Sequence, residues 1–92
     1  MRKLKTTVKF SDKDNVAIVL TDVEAGRKLE IAGETVEAKD SIPYGHKIAL
    51  VDLKKGDRVF KYGEPVARCI ADIPKGSWVH VHNVESIRGL GR

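Results

Sequence analysis

Residues 42–48 read Ile-Pro-Tyr-Gly-His-Lys-Ile, and residues 73–79 read Ile-Pro-Lys-Gly-Ser-Trp-Val. Proline presets φ near about −65° and glycine accepts the positive φ that closes a tight turn, so each stretch predicts a turn that leads into a strand. The same spacing, apolar-x-x-Gly-x-x-apolar, recurs at residues 23–29 and 53–59. These four units predict a chain that doubles back through sharp turns between short strands.

The four units belong to two copies of one repeat. Residues 20–48 match residues 50–79, with an offset of 30 at first and 31 after one inserted residue. The matching positions of the first copy are Leu20, Asp22, Val23, Gly26, Leu29, Gly33, Glu34, Val36, Ile42, Pro43, Gly45 and Ile48. Self-similarity at a fixed period indicates a duplicated structural unit, so the sequence predicts an internal pseudo-repeat.

The segments between the turns have the composition of strands. Residues 6–10 and 78–82 alternate in period two, and residues 16–20 form a continuous apolar run. No stretch of ten or more residues keeps a helical period without Gly or Pro. We therefore predict a single all-β domain over residues 1–92, built of many short strands. Residues 84–92 lack a strand pattern and predict an extended tail that a partner orders.

Composition limits the protein's class. A single cysteine allows no internal disulfide, which favours a reducing cytoplasm, and neither a signal peptide nor an apolar run of about 18 residues is present, so we expect no membrane partner. The net charge of +4 comes from Lys and Arg interleaved with Asp and Glu. This pattern suits a small anionic ligand such as a carboxylate better than nucleic acid, which we do not expect as a partner. A nucleic-acid-binding β-barrel stays as an alternative.

His46 and Lys47 stand where the two copies differ. The second copy has Ser77 and Trp78 at the matching positions. Duplicated scaffolds tend to keep structural residues and vary functional ones, so His46 and Lys47 are candidates for function. The alternative is a solvated pair at a loop end.

His80 and His82 lie two apart on a predicted strand. Side chains two apart on a strand leave the same face, so both rings are spaced for one metal ion or one anionic ligand. Asn83 follows with an amide that can donate or accept. The alternative is a pair of histidines on a polar strand face.

Lys61 and Tyr62 lie in a predicted turn before Gly63. Lysine can hold a carboxylate, and tyrosine can donate a hydrogen bond. The alternative is a packed tyrosine with its neighbouring lysine extended to solvent. Cys69 lies in an apolar segment and is predicted to be a buried small hydrophobe.

Taken together, residues 42–49, 56–63 and 73–83 resemble the SAF domain of altronate and galactarate dehydratases, and the resemblance covers roughly residues 8–88. It implies the β-clip fold. In that family the SAF domain is fused ahead of a large catalytic domain or forms a separate small subunit, and this chain is similar to the second arrangement. A large catalytic subunit is then the implied partner.

The resemblance also implies a reaction. These enzymes remove water from a sugar acid to give a 2-keto-3-deoxy acid, and they use a divalent metal, iron(II) or manganese(II). The implied roles are catalytic for His46, Lys47 and Lys61, with the lysines holding the carboxylate; substrate-binding for Tyr62, Asn83 and Arg88; and metal-binding for His80 and His82.

Two alternatives stay open beside altronate-type dehydration and the nucleic-acid-binding β-barrel named above. The small subunit of sulfolactate sulfo-lyase is a close relative with the same split arrangement. A non-catalytic SAF module that binds a sugar acid or serves assembly belongs to another class. The isolated chain is expected to be inactive, and a homo-oligomer of the isolated chain also stays open.

Overall fold

The structure, a computed structural model, describes residues 5–87. The strands of these residues are β1 (Thr7–Val8), β2 (Val16–Val19), β3 (Lys28–Ile31), β4 (Glu34–Glu37), β5 (Lys47–Ala49), β6 (Arg58–Lys61), β7 (Glu64–Cys69), β8 (Trp78–Val79) and β9 (Val84–Ser86). All pairings are antiparallel, and residues 5–87 contain no helix, so none that could cross a membrane. The all-β prediction is confirmed.

The strands form a four-stranded central sheet and two smaller ones. The central order is β1-β2-β5-β8, β3 pairs with β4 alone, and the third sheet has the order β6-β7-β9. The hairpins β3–β4 and β6–β7 are the equivalent parts of the two repeat copies. Each turns through two residues with positive φ, Ala32 and Gly33 in the first and Tyr62 and Gly63 in the second, as a two-residue type I′ hairpin requires.

The two Pro-x-Gly turns share one hydrogen-bonding scheme. In each, the residue after glycine donates its backbone N–H to the proline carbonyl over 3.1 Å. Each turn is capped by an aspartate, and the two aspartates lie thirty residues apart in the sequence. Asp22 accepts from the Tyr44 N–H and Asp52 from the Lys75 N–H, both at 2.8 Å. The pseudo-repeat therefore extends to the hydrogen bonds of the turns.

The same turns differ in their surroundings. A Cβ added at Gly45 would meet no atom within 4 Å, whereas one at Gly76 would overlap the carbonyl oxygen of Glu37. The Gly76 carbonyl also accepts from the Lys39 N–H at 2.8 Å. The second turn is thus packed against the first copy.

Two hydrophobic cores lie on either side of the central sheet. One is formed by Ala17, Val19, Val23, Leu29, Ile31, Val36, Ala38, Ile42, Ile48 and Leu50, and the other by Val16, Ala49, Leu53, Val59, Ala67, Cys69, Ile73 and Val79. Both β2 and β5 send side chains into both cores. A sheet covered on both faces explains why residues 16–19 form a continuous apolar run and do not alternate.

The cysteine lies inside the second core. Cys69 is 2% exposed, as the sequence predicts. Burial, with a smaller effect from the charge of Asp57, raises the pKa of its thiol. A thiol in such a setting behaves as a packing residue.

One local prediction is wrong, and another falls only partly on the described residues. The strand predicted over residues 78–82 ends at Val79, and residues 81–83 form a turn. Of the predicted extended tail, Val84–Ser86 form a strand that pairs with the edge of β7, and residues 88–92 lie outside the described residues. An edge strand offers unpaired backbone groups that a short segment can satisfy without an alternating pattern of its own.

Candidate functional site

Three histidines surround one tryptophan. The ring of Trp78 lies 5.4 Å from that of His46, 5.3 Å from that of His80 and 5.4 Å from that of His82, measured between centroids. His80 stacks nearly parallel on the indole, at 10°. His46 and His80 are 4.8 Å apart, and His80 and His82 are 6.4 Å apart. The three histidines predicted from separate motifs therefore form one cluster.

Strand register brings the cluster together. In the pairing of β5 with β8, Lys47 lies opposite Val79 and Ile48 opposite Trp78. Continuing that register by one residue places His46, which enters β5 from its turn, opposite His80, which leaves β8. The predicted common face of a strand is thus not what joins His80 and His82, since both lie beyond the end of β8.

Asn83 holds the turn that carries the two histidines. Its Oδ1 accepts from the His80 backbone N–H at 2.9 Å, and its Nδ2 donates to the Trp78 carbonyl at 2.8 Å. The Asn83 N–H donates to the His80 carbonyl at 2.9 Å. In the structure this amide therefore places His80; its predicted contact with substrate stays a prediction.

A hydrogen bond fixes His46 against Trp78. The indole Nε1–H donates to Nδ1 of His46 at 3.1 Å. Trp78 is itself held through its backbone, because its N–H donates to Asp40 at 2.9 Å and its carbonyl accepts from Asn83. Sequence comparison of the two copies treated Trp78 as the structural counterpart of Lys47, and thereby missed the residue that contacts all three histidines.

Lys47 adds positive charge close to His80, and Lys61 adds positive charge close to Lys47. Burial, and then repulsion from Lys61, lower the pKa of Lys47. Burial lowers the pKa of His80 as well, with further contributions from His46, Lys47 and His82. Neither of the two ion pairs formed within residues 5–87 involves Lys47 or Lys61. Among residues 5–87, no carboxylate forms an ion pair with either lysine, and a bound anion would offset the repulsion between Lys47 and Lys61.

The turn that carries Lys61 is anchored by a buried aspartate. Asp14, 5% exposed, accepts backbone N–H groups of Tyr62 at 3.1 Å and of Gly63 at 2.8 Å, and it also accepts from Phe10 and Ser11. The sequence shows Asp14 only as one polar residue in a turn-like stretch, so its role at a separation of 48 residues leaves no local signal.

The ring of Tyr62 is engaged on one side. It stacks on Phe10 with centroids 4.1 Å apart, and Nζ of Lys61 lies 5.4 Å from its centroid. Tyr62 is 61% exposed. The predicted packing of tyrosine with an extended lysine and the predicted substrate contact are both compatible with this position.

The predicted metal site at the histidines stays a prediction. Imidazole nitrogen suits iron, as it does zinc and copper, whereas manganese prefers oxygen ligands. His80 and His82 are neighbours, whereas Nδ1 of His46 already accepts a hydrogen bond. Over residues 5–87 no three His, Cys, Asp or Glu side chains are grouped to hold a metal ion. His80 and His82 thus stay the two predicted metal ligands. Arg88, predicted to bind substrate, lies outside the described residues.

A groove of the chain lies away from the histidines. Its volume is about 890 Å³, and residues 5–12 and 27–32 line it. None of the three histidines, and neither Lys47 nor Lys61, lines this groove. The cluster around Trp78 is therefore a separate place on the molecule.

Known proteins are similar to this chain in sequence. The family profile described as the altronate/galactarate dehydratase SAF domain matches residues 5–87. The chain is 40% identical over 83 residues to altronate dehydratase of Bacillus subtilis (strain 168), covering 90% of this chain and 17% of that protein. It is 39% identical over 79 residues to altronate dehydratase of Escherichia coli (strain K12), covering 86% and 16%.

Another relative is matched over most of its own length. The chain is 39% identical over 82 residues to the protein named (2R)-sulfolactate sulfo-lyase subunit alpha of Chromohalobacter salexigens, covering 82% of this chain and 87% of that subunit. The chain therefore spans about a sixth of the dehydratases it matches and most of the sulfo-lyase subunit.

Proposed function

The chain belongs to the altronate/galactarate dehydratase SAF domain family, and we propose on that premise that it is the small subunit of a two-subunit lyase. In this proposal the enzyme removes water from a sugar acid of the altronate type and forms a 2-keto-3-deoxy acid. The observation that carries the proposal is the cluster of three histidines around Trp78, with Lys47 in electrostatic contact with both His80 and Lys61, within a domain whose relatives are lyases.

The two-subunit arrangement is supported by the relatives. The dehydratases carry the matching region in 16–17% of their length, whereas the sulfo-lyase relatives are named as alpha subunits and match over 76–87% of theirs. A domain of this size that stands beside a larger chain would meet the substrate at their interface. We propose a large catalytic subunit as the partner, which supplies the groups that residues 5–87 do not bring to the site.

Lys47 and Lys61 are proposed to hold the carboxylate of the sugar acid. Their mutual repulsion, seen in the lowered pKa of Lys47, favours an anion between them. Removal of the proton next to a carboxylate builds negative charge on the carboxylate oxygens. Two ammonium groups fixed at that place stabilise this charge in the transition state more than in the ground state.

His80 and His82 are proposed to contribute two ligands to a divalent metal, iron(II) or manganese(II), with the remaining ligands coming from the large subunit. When bound, such an ion acts as a Lewis acid on substrate oxygens. Asn83 fixes the backbone that presents His80, and His82 is exposed, so its ring is free to rotate toward a shared ion. His46, Tyr62 and Arg88 are proposed to contact the substrate.

A second candidate is favoured by the coverage of one relative. The matched region makes up 87% of one sulfo-lyase alpha subunit, at 39% identity. In this candidate the leaving group is a sulfonate and not a hydroxyl, and the two lysines again hold the substrate carboxylate. A non-catalytic module that binds a sugar acid or serves assembly is the alternative from another class.

The test is to isolate the tagged chain from its native cells and to assay the complex with altronate, galactarate and sulfolactate. We expect a larger chain to co-purify and the complex to form a keto acid from altronate, with activity lost on chelation and restored by iron(II) or manganese(II). Sulfite release from sulfolactate would select the second candidate. Recovery of the chain alone, inert on all three substrates, would contradict both.

A further inference from the structure

His46 differs from the other two histidines in one hydrogen bond. The indole nitrogen of Trp78 carries a proton and has no lone pair available, so it acts as a donor only. The atom it meets at 3.1 Å, Nδ1 of His46, is therefore the acceptor, and Nδ1 carries a lone pair. In the neutral ring the proton is then on Nε2.

This tautomer decides what His46 can bind. A neutral histidine binds a metal through a nitrogen that carries no proton, and a hydrogen-bond partner on the other nitrogen fixes which nitrogen that is. In metal sites that partner accepts a hydrogen bond from the ring N–H, whereas at His46 the partner donates a hydrogen bond to the ring. Coordination through Nε2 would leave both nitrogens without a proton, and coordination through Nδ1 would displace the indole.

The indole is held so that the bond cannot easily rearrange. The Trp78 N–H donates to Asp40, its carbonyl accepts from Asn83, and its ring stacks on His80. Trp78 also packs against the first hydrophobic core. The donor is thus fixed from the strand, the turn and the core.

We infer that Trp78 is a positioning residue that holds His46 in its Nε2–H tautomer, so that His46 meets the sugar acid as a hydrogen-bond donor and is not a metal ligand. This inference rests on the proposed function for the identity of the ligand. It separates the three histidines into one that donates to a substrate oxygen and two that are available to a metal ion. A fixed donor aimed at an oxygen that gains negative charge stabilises a transition state.

The tautomer is measured on the isolated full chain by nitrogen NMR of the histidine rings, at about pH 8, above the ordinary imidazole pKa. Trp78 is the one tryptophan, so its indole N–H gives one signal. We expect a pyridine-type Nδ1 and a pyrrole-type Nε2 at His46, and an indole signal that moves upfield in His46→Ala. A pyrrole-type Nδ1, or an indole signal unchanged in His46→Ala, overturns the inference.

Zinc alone serves as a diamagnetic probe of metal binding on the same sample. We expect no coordination shift at His46 in the wild-type chain, and we expect Trp78→Phe, which keeps an aromatic ring but removes the donor, to expose Nδ1 of His46 to zinc. A coordination shift at His46 in the wild-type chain contradicts the inference.

The assembled enzyme separates this inference from the proposed function. We expect His46→Ala to lower kcat on the order of 10²-fold with metal content unchanged, and His46→Gln, whose amide places an N–H close to the position of Nε2, to retain more turnover. His82→Ala is the matched control and should lose metal. Loss of metal from the His46→Ala complex overturns the inference, whereas a complex inactive on every sugar acid contradicts the proposed function and leaves the tautomer measurement valid.

Discussion

The Pro-x-Gly turn of the first copy and that of the second copy follow the same backbone path but have different neighbours. Gly45 faces open space and leads into His46 and Lys47, which reach the surface. Gly76 packs on the carbonyl of Glu37 and leads into Ser77, which is 7% exposed. The first turn is free to carry functional side chains because the second one joins the two copies.

The largest expected effect separates these two glycines. Gly76→Ala adds a methyl group that overlaps backbone, and it imposes a left-handed conformation on alanine, so we expect a loss of more than about 3 kcal/mol in the free energy of unfolding. Gly45→Ala meets only the conformational cost of about 1 kcal/mol. Urea denaturation of both variants measures the difference. Equal losses would show that the close packing of Gly76 is not a feature of the folded protein.

The next effect compares the aspartate that anchors the β6–β7 hairpin turn with the one that caps the first Pro-x-Gly turn. Asp14→Ala leaves backbone N–H groups of Tyr62 and Gly63 without their acceptor, and we expect a loss of about 2–4 kcal/mol. Asp22→Ala removes one exposed bond to Tyr44 and should cost about 1 kcal/mol or less.

Amide exchange gives a second measure of the same contrast. We expect the Gly63 amide to exchange more slowly than the Gly33 amide in the wild-type chain and to lose that protection in Asp14→Ala. Equal protection of the two glycine amides in the wild-type chain would contradict the anchoring role of Asp14.

A smaller effect comes from pH. Burial and Lys61 lower the pKa of Lys47 below its ordinary value of 10.5. At a pH between the lowered pKa and 10.5, Lys47 is neutral in the folded chain and charged in the unfolded chain, so unfolding takes up a proton. Stability attributable to Lys47 therefore rises as pH increases through that window and is constant below it. The side chain is half-buried, so we expect a change below about 1 kcal/mol.

The measurement compares urea unfolding of the wild-type chain and Lys47→Met between neutral pH and the ordinary lysine pKa. We expect the free energy of unfolding of the wild-type chain to increase relative to that of Lys47→Met as the pH rises. Lys61→Met should narrow the window, because it removes the repulsion that lowers the pKa of Lys47. A difference that stays constant with pH would contradict the effect.

The smallest effect concerns β9, which pairs with the β6–β7 hairpin and has no counterpart at the β3–β4 hairpin. Arg68 and Glu85 form an exposed ion pair between β7 and β9. An exposed pair contributes about 0–1 kcal/mol, so we expect Arg68→Ala to leave β9 in place, held by its backbone bonds to β7. Thermal melting and amide exchange of residues 84–86 check this. Loss of protection across β9 would show that the ion pair, and not the backbone, holds it.

The sequence was sufficient for those features that depend on local spacing. Pro43 and Gly45, with Pro74 and Gly76, predicted two equivalent turns, and the repeat predicted equivalent hairpins. The end of β8 was missed because the alternation continues through His80 and His82 while Asn83 bonds to the backbone and closes a turn. Amide side chains that compete with strand pairing in this way are not visible in a periodicity.

The candidate site was predicted by residue type but not by arrangement. His46, His80 and His82 were each identified from a separate pattern, whereas their convergence depends on the register of β5 with β8. Trp78 was missed because the comparison of the two copies assigned the functional role to Lys47 and left Trp78, at the matching position, without one. Asp14 was missed because its partners lie 48 and 49 residues away.

The shared central sheet has a consequence for how the chain acquires its structure during synthesis. Both β2 and β5 contribute to both cores, and β8, near the end of the chain, completes the sheet between them. A growing chain that has released only residues 1–50 holds every buried residue of the first core but lacks Trp78, which packs against that core, and most of the second core. The central sheet therefore stays incomplete until residues 78–79, which form its last strand, have left the ribosome.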